Sequence, residues 1–164
     1  MPLIKDGRFV ADPWCHIEDG ATLPADAPAT VSWKRWSSER EILVGHNGRL
    51  GLRLPNDVPP LSLAQDAPRF DLIALAFPKF IDGRAFSQAR LLRSRCGFTG
   101  ELRATGDVLR DQLLFMQRCG IDAFEVSERA IAEDWLAALD DFDLFYQPAA
   151  DGRPWIARQR LRAG

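Results

Sequence analysis

Cysteine and histidine are scarce in this chain. The three cysteines, Cys15, Cys96 and Cys119, form no C-x-x-C pair, so neither a dithiol motif nor a zinc-ligand spacing is present. The two histidines, His16 and His46, stand far apart, and neither has partners at metal-ligand spacing, so no metal is expected. Charge of one sign is lacking too. The net charge of -2 gives no bulk attraction to nucleic acid or to an anionic membrane. No apolar run approaches the ~20 residues needed to span a bilayer. The first ten residues, MPLIKDGRFV, lack the apolar core of a signal peptide. There is no G-x-G-x-x-G after a strand, no G-x-x-x-x-G-K-[ST] and no G-x-S-x-G, so no cofactor is expected from any nicotinamide, flavin, nucleotide or nucleophile motif. A reduced, cytoplasmic protein follows from the cysteine usage.

What is present is an alternation. Hydrophobic residues make up 46% of 164 residues, enough for one domain with a proper core. The spacing divides residues 1–164 into an irregular segment over 1–30, a βα core over 70–139 and a tail over 148–164. Phe70 to Phe77 is an apolar run, and the pattern from Asp82 to Cys96 is helical. Glu101–Ala104 reads as a strand, 107–119 as a second helix and Ala123–Val126 as a third strand. Strand–helix–strand–helix–strand predicts an α/β fold with a mainly parallel sheet. Three successive βα units with added N-terminal strands predict an open half-barrel.

Periodicity and caps supply the detail. Ala85, Ala89, Leu92 and Cys96 form one buried stripe, and so do Leu109, Leu113 and Met116. Asp82, Asp107 and Ser127 are predicted N-caps, with Gly97 and Gly120 as left-handed stops. A third helix follows Ser127, with Ile131, Trp135 and Leu139 inward and Glu133, Asp134, Asp140 and Asp141 in solvent. Upstream, Asp6–Gly7 predicts a hairpin turn. Ala11–Ala29, broken by prolines, reads as loop. Val31–Trp36 reads as a strand, and Arg40–Val44 as a helical turn or a strand. Gly48–Leu54 alternates as a half-buried strand, and Pro59–Pro60 opens a short helix over 61–65.

Ligands of parallel sheets bind beyond the carboxyl ends of the strands. The residues expected there are Lys79, Asp82, Arg84, Arg103, Thr105, Asp107 and Arg110. Two helix starts beside these cations would suit a small oxyanion. The simpler alternative is that the aspartates only cap and that Arg84 and Arg110 lie in water. Arg103 falls mid-strand, sharing a face with Glu101 and Thr105. On a covered face it needs a carboxylate, from Glu101, Asp107 or Glu125; on an edge it would be solvated. Cys96 and Cys119 end helices, where the dipole disfavours a thiolate, so both are expected as buried, unpaired thiols. Cys15–His16, adjacent in sequence, is poorly placed to act as a nucleophile–base pair.

Phe77–Pro78–Lys79–Phe80, Asp82–Gly83–Arg84 and the run from Ser87 to Arg93 resemble the bacterial domain of unknown function 934 family. So does the block from Gly97 to Gln112, continuing to Arg118–Cys119–Gly120. The resemblance covers nearly the whole chain and is densest from Phe77 to Phe124. Ile121 stands where the family pattern has an aromatic residue. The family is described as an oxidoreductase involved in sulfite reduction. The resemblance therefore implies a place in assimilatory sulfate and sulfite reduction beside sulfite reductase, with sulfite as the natural oxyanion. It carries over no catalytic residue. Because the residues show neither cofactor motif nor reactive thiol pair, an accessory protein that docks on a reductase is expected over a self-sufficient enzyme. A stand-alone oxyanion-binding enzyme or binding protein is the alternative. Trp14, Trp33, Trp36 and Trp155 lie outside the βα core. Trp155 with Arg158 is the expected docking segment, since tryptophan and arginine dominate binding hot spots.

Overall fold

The structure is a computed structural model that describes residues 2–79, 81–127, 132–139, 145–153 and 155–156. Leu3–Lys5 (β1) and Arg8–Val10 (β2) form the hairpin expected from Asp6–Gly7. Both turn residues have positive φ, 51° and 68°, which matches the right-handed twist of the flanking strands. Cys15–His16 (β3), a two-residue strand inside the segment expected as loop, pairs in parallel with Ala29–Ser32 (β4).

Here the structure corrects the sequence reading. Of Val31–Trp36, only Val31 and Ser32 are strand, as the end of β4, and Trp33–Trp36 are helix. Helix α1 spans Trp33–Val44, with the Ser32 Oγ accepting from the Arg35 N–H at 2.9 Å. That bond satisfies a first-turn donor, and Trp36 and Leu43, two turns apart, bury the same side of the helix. Leu50–Leu54 (β5) follows and ends at Pro55. Its leucines face the core, and Arg53 points the other way, exposed. The short helix after Pro59 is a 3-10 turn, Pro60–Leu63.

The βα units come next: Leu72–Phe77 (β6), Arg84–Ser94 (α2), Glu101–Gly106 (β7), Leu113–Arg118 (α3), Ala123–Glu125 (β8) and Ala132–Ala137 (α4). Gly97 and Gly120 take the positive φ expected of them, 62° and 96°. The α2 stripe is buried in full. The helix expected over 107–119 is shorter. Asp107 turns back to donate its N–H to the Phe77 carbonyl, and a 3-10 turn, Arg110–Gln112, precedes α3. The capping positions of these two elements are Leu109 and Gln112, not Asp107, and Leu109 lies 37% exposed outside the buried stripe. Asp82 sits one residue before the capping position, Gly83. Of the third helix, Trp135 is half-buried and Leu139 buried. Ile131, Asp140 and Asp141 lie outside the described residues, as does the stretch that would test Ser127 as a cap.

The eight strands form one sheet in the order β2-β1-β8-β7-β6-β5-β4-β3. From β3 to β8 every pairing is parallel, and β1 joins β8 antiparallel. Parallel strands that neighbour one another in sequence order need right-handed crossovers, which place successive helices on one face. Trp36, Leu43, Ala85, Leu92, Leu113 and Met116 accordingly join Val31, Leu52, Ile73, Leu75 and Leu102 in a single core. The sheet curls as an open half-barrel, with this core and its helices on the outer side. Its concave face carries no such helical layer from α1 to α3.

Candidate functional site

Register decides what lines the concave face. Ser32, Arg53, Ala74 and Arg103 are cross-strand partners on β4 to β7. The row before them runs Thr30, Gly51, Leu72 and Glu101. Paired residues project to the same side, so this face holds arginine, acid and hydroxyl where the other face holds leucine. The Trp14 indole lies down on it, against Leu72 and Ala74. Gly51 makes that possible: a Cβ there would come within 2.8 Å of Thr30 Cγ2 and 3.1 Å of Trp14 Cζ3.

Arg103 is the most enclosed charge of the face, at 2% exposure. It takes the first of the two expectations, a covered position with acidic partners. Nη1 and Nη2 hold Asp12 at 2.7 and 3.1 Å, Nε donates to Glu101 at 2.9 Å, and Nη1 reaches Glu125 at 3.4 Å. Lys5 Nζ takes the second Glu101 oxygen at 2.7 Å. Burial opposes the charge on Arg103, yet the Asp12 and Glu101 carboxylates outweigh it and raise its pKa. Buried ion pairs persist only with such multiple hydrogen bonding. Glu101 and Glu125 were expected partners. Asp12, in a segment read as loop, was missed, because nothing in sequence signals a contact across the sheet.

The residues expected at the rim have separate partners. Asp82 accepts from Arg84 Nη2 at 2.7 Å, from the Arg84 N–H and from Asn56 Nδ2 at 2.7 Å. These bonds hold its carboxyl well below the usual carboxylate range. Lys79 is exposed at the end of β6. Arg110 Nε donates to the Asp134 carbonyl at 2.7 Å. Thr105, two positions beyond Arg103, is buried on the concave face and donates to the Leu75 carbonyl at 3.3 Å.

Between Arg103 and the strand ends lies a cleft of about 300 Å³, lined by His16, Trp33, Arg53, Ala74, Ala76 and Thr105 among others. Arg53 and His16 were not singled out as site residues. The signal available was the polar interruption of a leucine run, Leu52–Arg53–Leu54, which puts one arginine on the face opposite the core. Trp155 is half-buried and bridges to Phe145, where the Ile156 N–H meets the Phe145 carbonyl at 2.8 Å; Arg158 lies outside the described residues. No group of His, Cys, Asp and Glu among the described residues is arranged to hold a metal ion.

Fold and site together define an open α/β half-barrel with a charged concave face. Residues 51–156 match the family model described as bacterial protein of unknown function (DUF934). The chain belongs to that family. Comparison with curated proteins and with solved structures finds no match.

Proposed function

We propose that the protein serves assimilatory sulfate and sulfite reduction in the cytoplasm as an accessory protein acting with sulfite reductase. What supports this is the resemblance of the Phe77–Gly120 residues to a family described with sulfite reduction; the family match spans that whole block and by itself assigns no function. The sequence carries no cofactor motif of its own, so electrons would come from the reductase with which it acts. Trp155 and Arg158 remain the proposed docking segment; the backbone bridge between Trp155 and Phe145 gives that segment a defined anchor. Deleting the gene and comparing growth on sulfate with growth on cysteine tests the pathway. Loss of growth on sulfate alone is expected, and equal growth on both sources defeats the proposal in a strain without a second copy.

A second reading is a small-oxyanion site at the carboxyl ends of the strands, using Lys79, Asp82, Arg84, Arg103, Thr105, Asp107 and Arg110. It is favoured by Lys79, an exposed cation with no hydrogen-bond or ion-pair partner among the described residues. Arg84 and Arg103 already hold carboxylates, so Lys79 would provide the first contact. Calorimetric titration with sulfite, sulfate and phosphate tests it. Weaker binding by Lys79→Ala is expected, and an unchanged isotherm removes the rim.

A further inference from the structure

Arg53 and Arg103 stand on the same face, each one strand away from Ala74. Their surroundings differ sharply. Arg103 is held by three carboxylates. Arg53 has no hydrogen-bond or ion-pair partner among the described residues. Lys34, the other cation at the cleft, is tied to Asp19 at 3.8 Å. Among the described residues, one guanidinium is therefore left with its donors free, inside a concave surface, at the carboxyl end of a parallel sheet where ligands of such sheets bind.

The floor beside it is made of the smallest side chains of the face, Ala74 and Ala76, and the wall of Trp33 and Pro55. A bare inorganic ion would not use these apolar surfaces. The cleft of about 300 Å³ falls at the lower end of small-molecule sites, which combine apolar walls with a few placed polar groups. We propose that this cleft binds a small organic anion, its carboxylate, sulfonate or phosphate head on Arg53 and its apolar body on Ala74 and Ala76 against Trp33. The planar guanidinium presents parallel donors that match such a head in a fork. Thr105 closes the floor of the cleft beyond Ala76, its cross-strand neighbour. The site uses none of the cations of the rim, and it goes beyond the pathway reading without depending on it.

The test is calorimetry of the full chain with benzoate, benzenesulfonate and phenyl phosphate, and with benzyl alcohol as a neutral probe of similar shape. At least one of the three anions binds the wild type at millimolar concentration or better, and benzyl alcohol at least about tenfold more weakly. Arg53→Met weakens the anion by about tenfold or more, the size of one charge-assisted contact. Arg90→Met, which removes an exposed α2 arginine from the other side of the sheet, leaves it unchanged. Ala76→Leu fills the cleft without touching Arg53 and abolishes binding, so the proposal does not hang on one variant. Absence of binding by all three anions overturns the proposal. So does equal binding by wild type and Arg53→Met, or equal weakening by the Arg53 and Arg90 substitutions. Growth on sulfate reads the pathway separately, so each idea fails on its own evidence.

Discussion

Arg103 and Asp12 form a two-point ion pair, at 2.7 and 3.1 Å, although 91 residues separate them. The pair clamps the segment between β2 and β3 onto the middle of the parallel sheet. Asp12 also accepts the Trp14 N–H at 3.1 Å, which fixes the start of the stretch that lays the indole over Gly51. Removing one partner of such a buried pair leaves uncompensated charge. Arg103→Ala strands Asp12, Glu101 and Glu125 against one another and lowers stability by about 3–5 kcal/mol. Asp12→Ala, which leaves two carboxylates in place, costs about 1–3 kcal/mol. Urea unfolding of the two variants measures both; equal stability of Arg103→Ala and wild type would show that the cluster does not hold the fold.

Arg93 is a second structural arginine. It donates to the carbonyls of Phe98, Gly100 and Gly120 and to the Asp122 carboxylate. It thus joins the end of α2 to the starts of β7 and β8. Arg93→Ala leaves several backbone acceptors without their donor and is expected to cost about 2–3 kcal/mol. Arg93→Lys recovers only part of that, because one ammonium cannot reproduce the planar fork. Thermal unfolding of the pair checks the order, and full recovery by lysine would contradict it.

Thiol reactivity separates the three cysteines. Cys96 and Cys119 are buried and free, and Cys15 is exposed. Burial pushes the Cys96 thiol up; it does the same at Cys119, where Arg90 and Arg118 only partly offset it. Alkylation of the native protein near neutral pH should label Cys15 quickly and the other two only on unfolding. Mass spectrometry counts the adducts. Rapid labelling of Cys96 or Cys119 would contradict the packing.

Asp82 makes stability depend on pH. Its folded pKa lies below the ordinary value of 3.8, chiefly because Arg84 holds the carboxylate. A group depressed on folding contributes stability above its unfolded pKa and loses it as the pH falls through the folded one. Asp82→Asn is therefore less stable than wild type near neutral pH, and the gap narrows as the pH drops below 3.8. Denaturant unfolding across that range reads the gap; a constant gap would assign the effect to shape and not to charge.

Helix α1 offers a local test of the corrected boundary. Ser32→Ala removes the acceptor for the Arg35 N–H and should cost about 1 kcal/mol. Ser32→Thr preserves the acceptor and also the hydroxyl that donates to Asp19 Oδ1 at 2.6 Å, and should lose much less. Circular dichroism melting distinguishes them, and equal losses would mean that the Oγ is not the cap.

The elements read correctly from sequence are those in which local chemistry and burial agree. Asp6–Gly7 supplies the backbone that a tight hairpin requires. Leu72–Phe77 is apolar on both faces, as expected of an interior parallel strand. Ala85, Ala89, Leu92 and Cys96 share a helical stripe that the core then covers. Misreadings arose where two periods fit the same residues. Val31–Trp36 alternates well enough for a strand, but the Ser32 cap and the burial of Trp36 and Leu43 favour a helix. Residues 107–119 carry a helical pattern that begins too early, because the bond from Asp107 to the Phe77 carbonyl ties the chain to β6.

The sequence by itself determined the alternation of strand and helix, the buried stripes and the family. These follow from contacts a few residues apart and from the turns that end each element. Only the tertiary structure decided which charges meet. Sheet order brings Asp12, Glu101 and Glu125 around Arg103 and leaves Arg53, one strand beyond Ala74, with none among the described residues. Cross-strand register is set by the packing of the whole sheet, so no local pattern distinguishes the arginine that is paired from the one that is free.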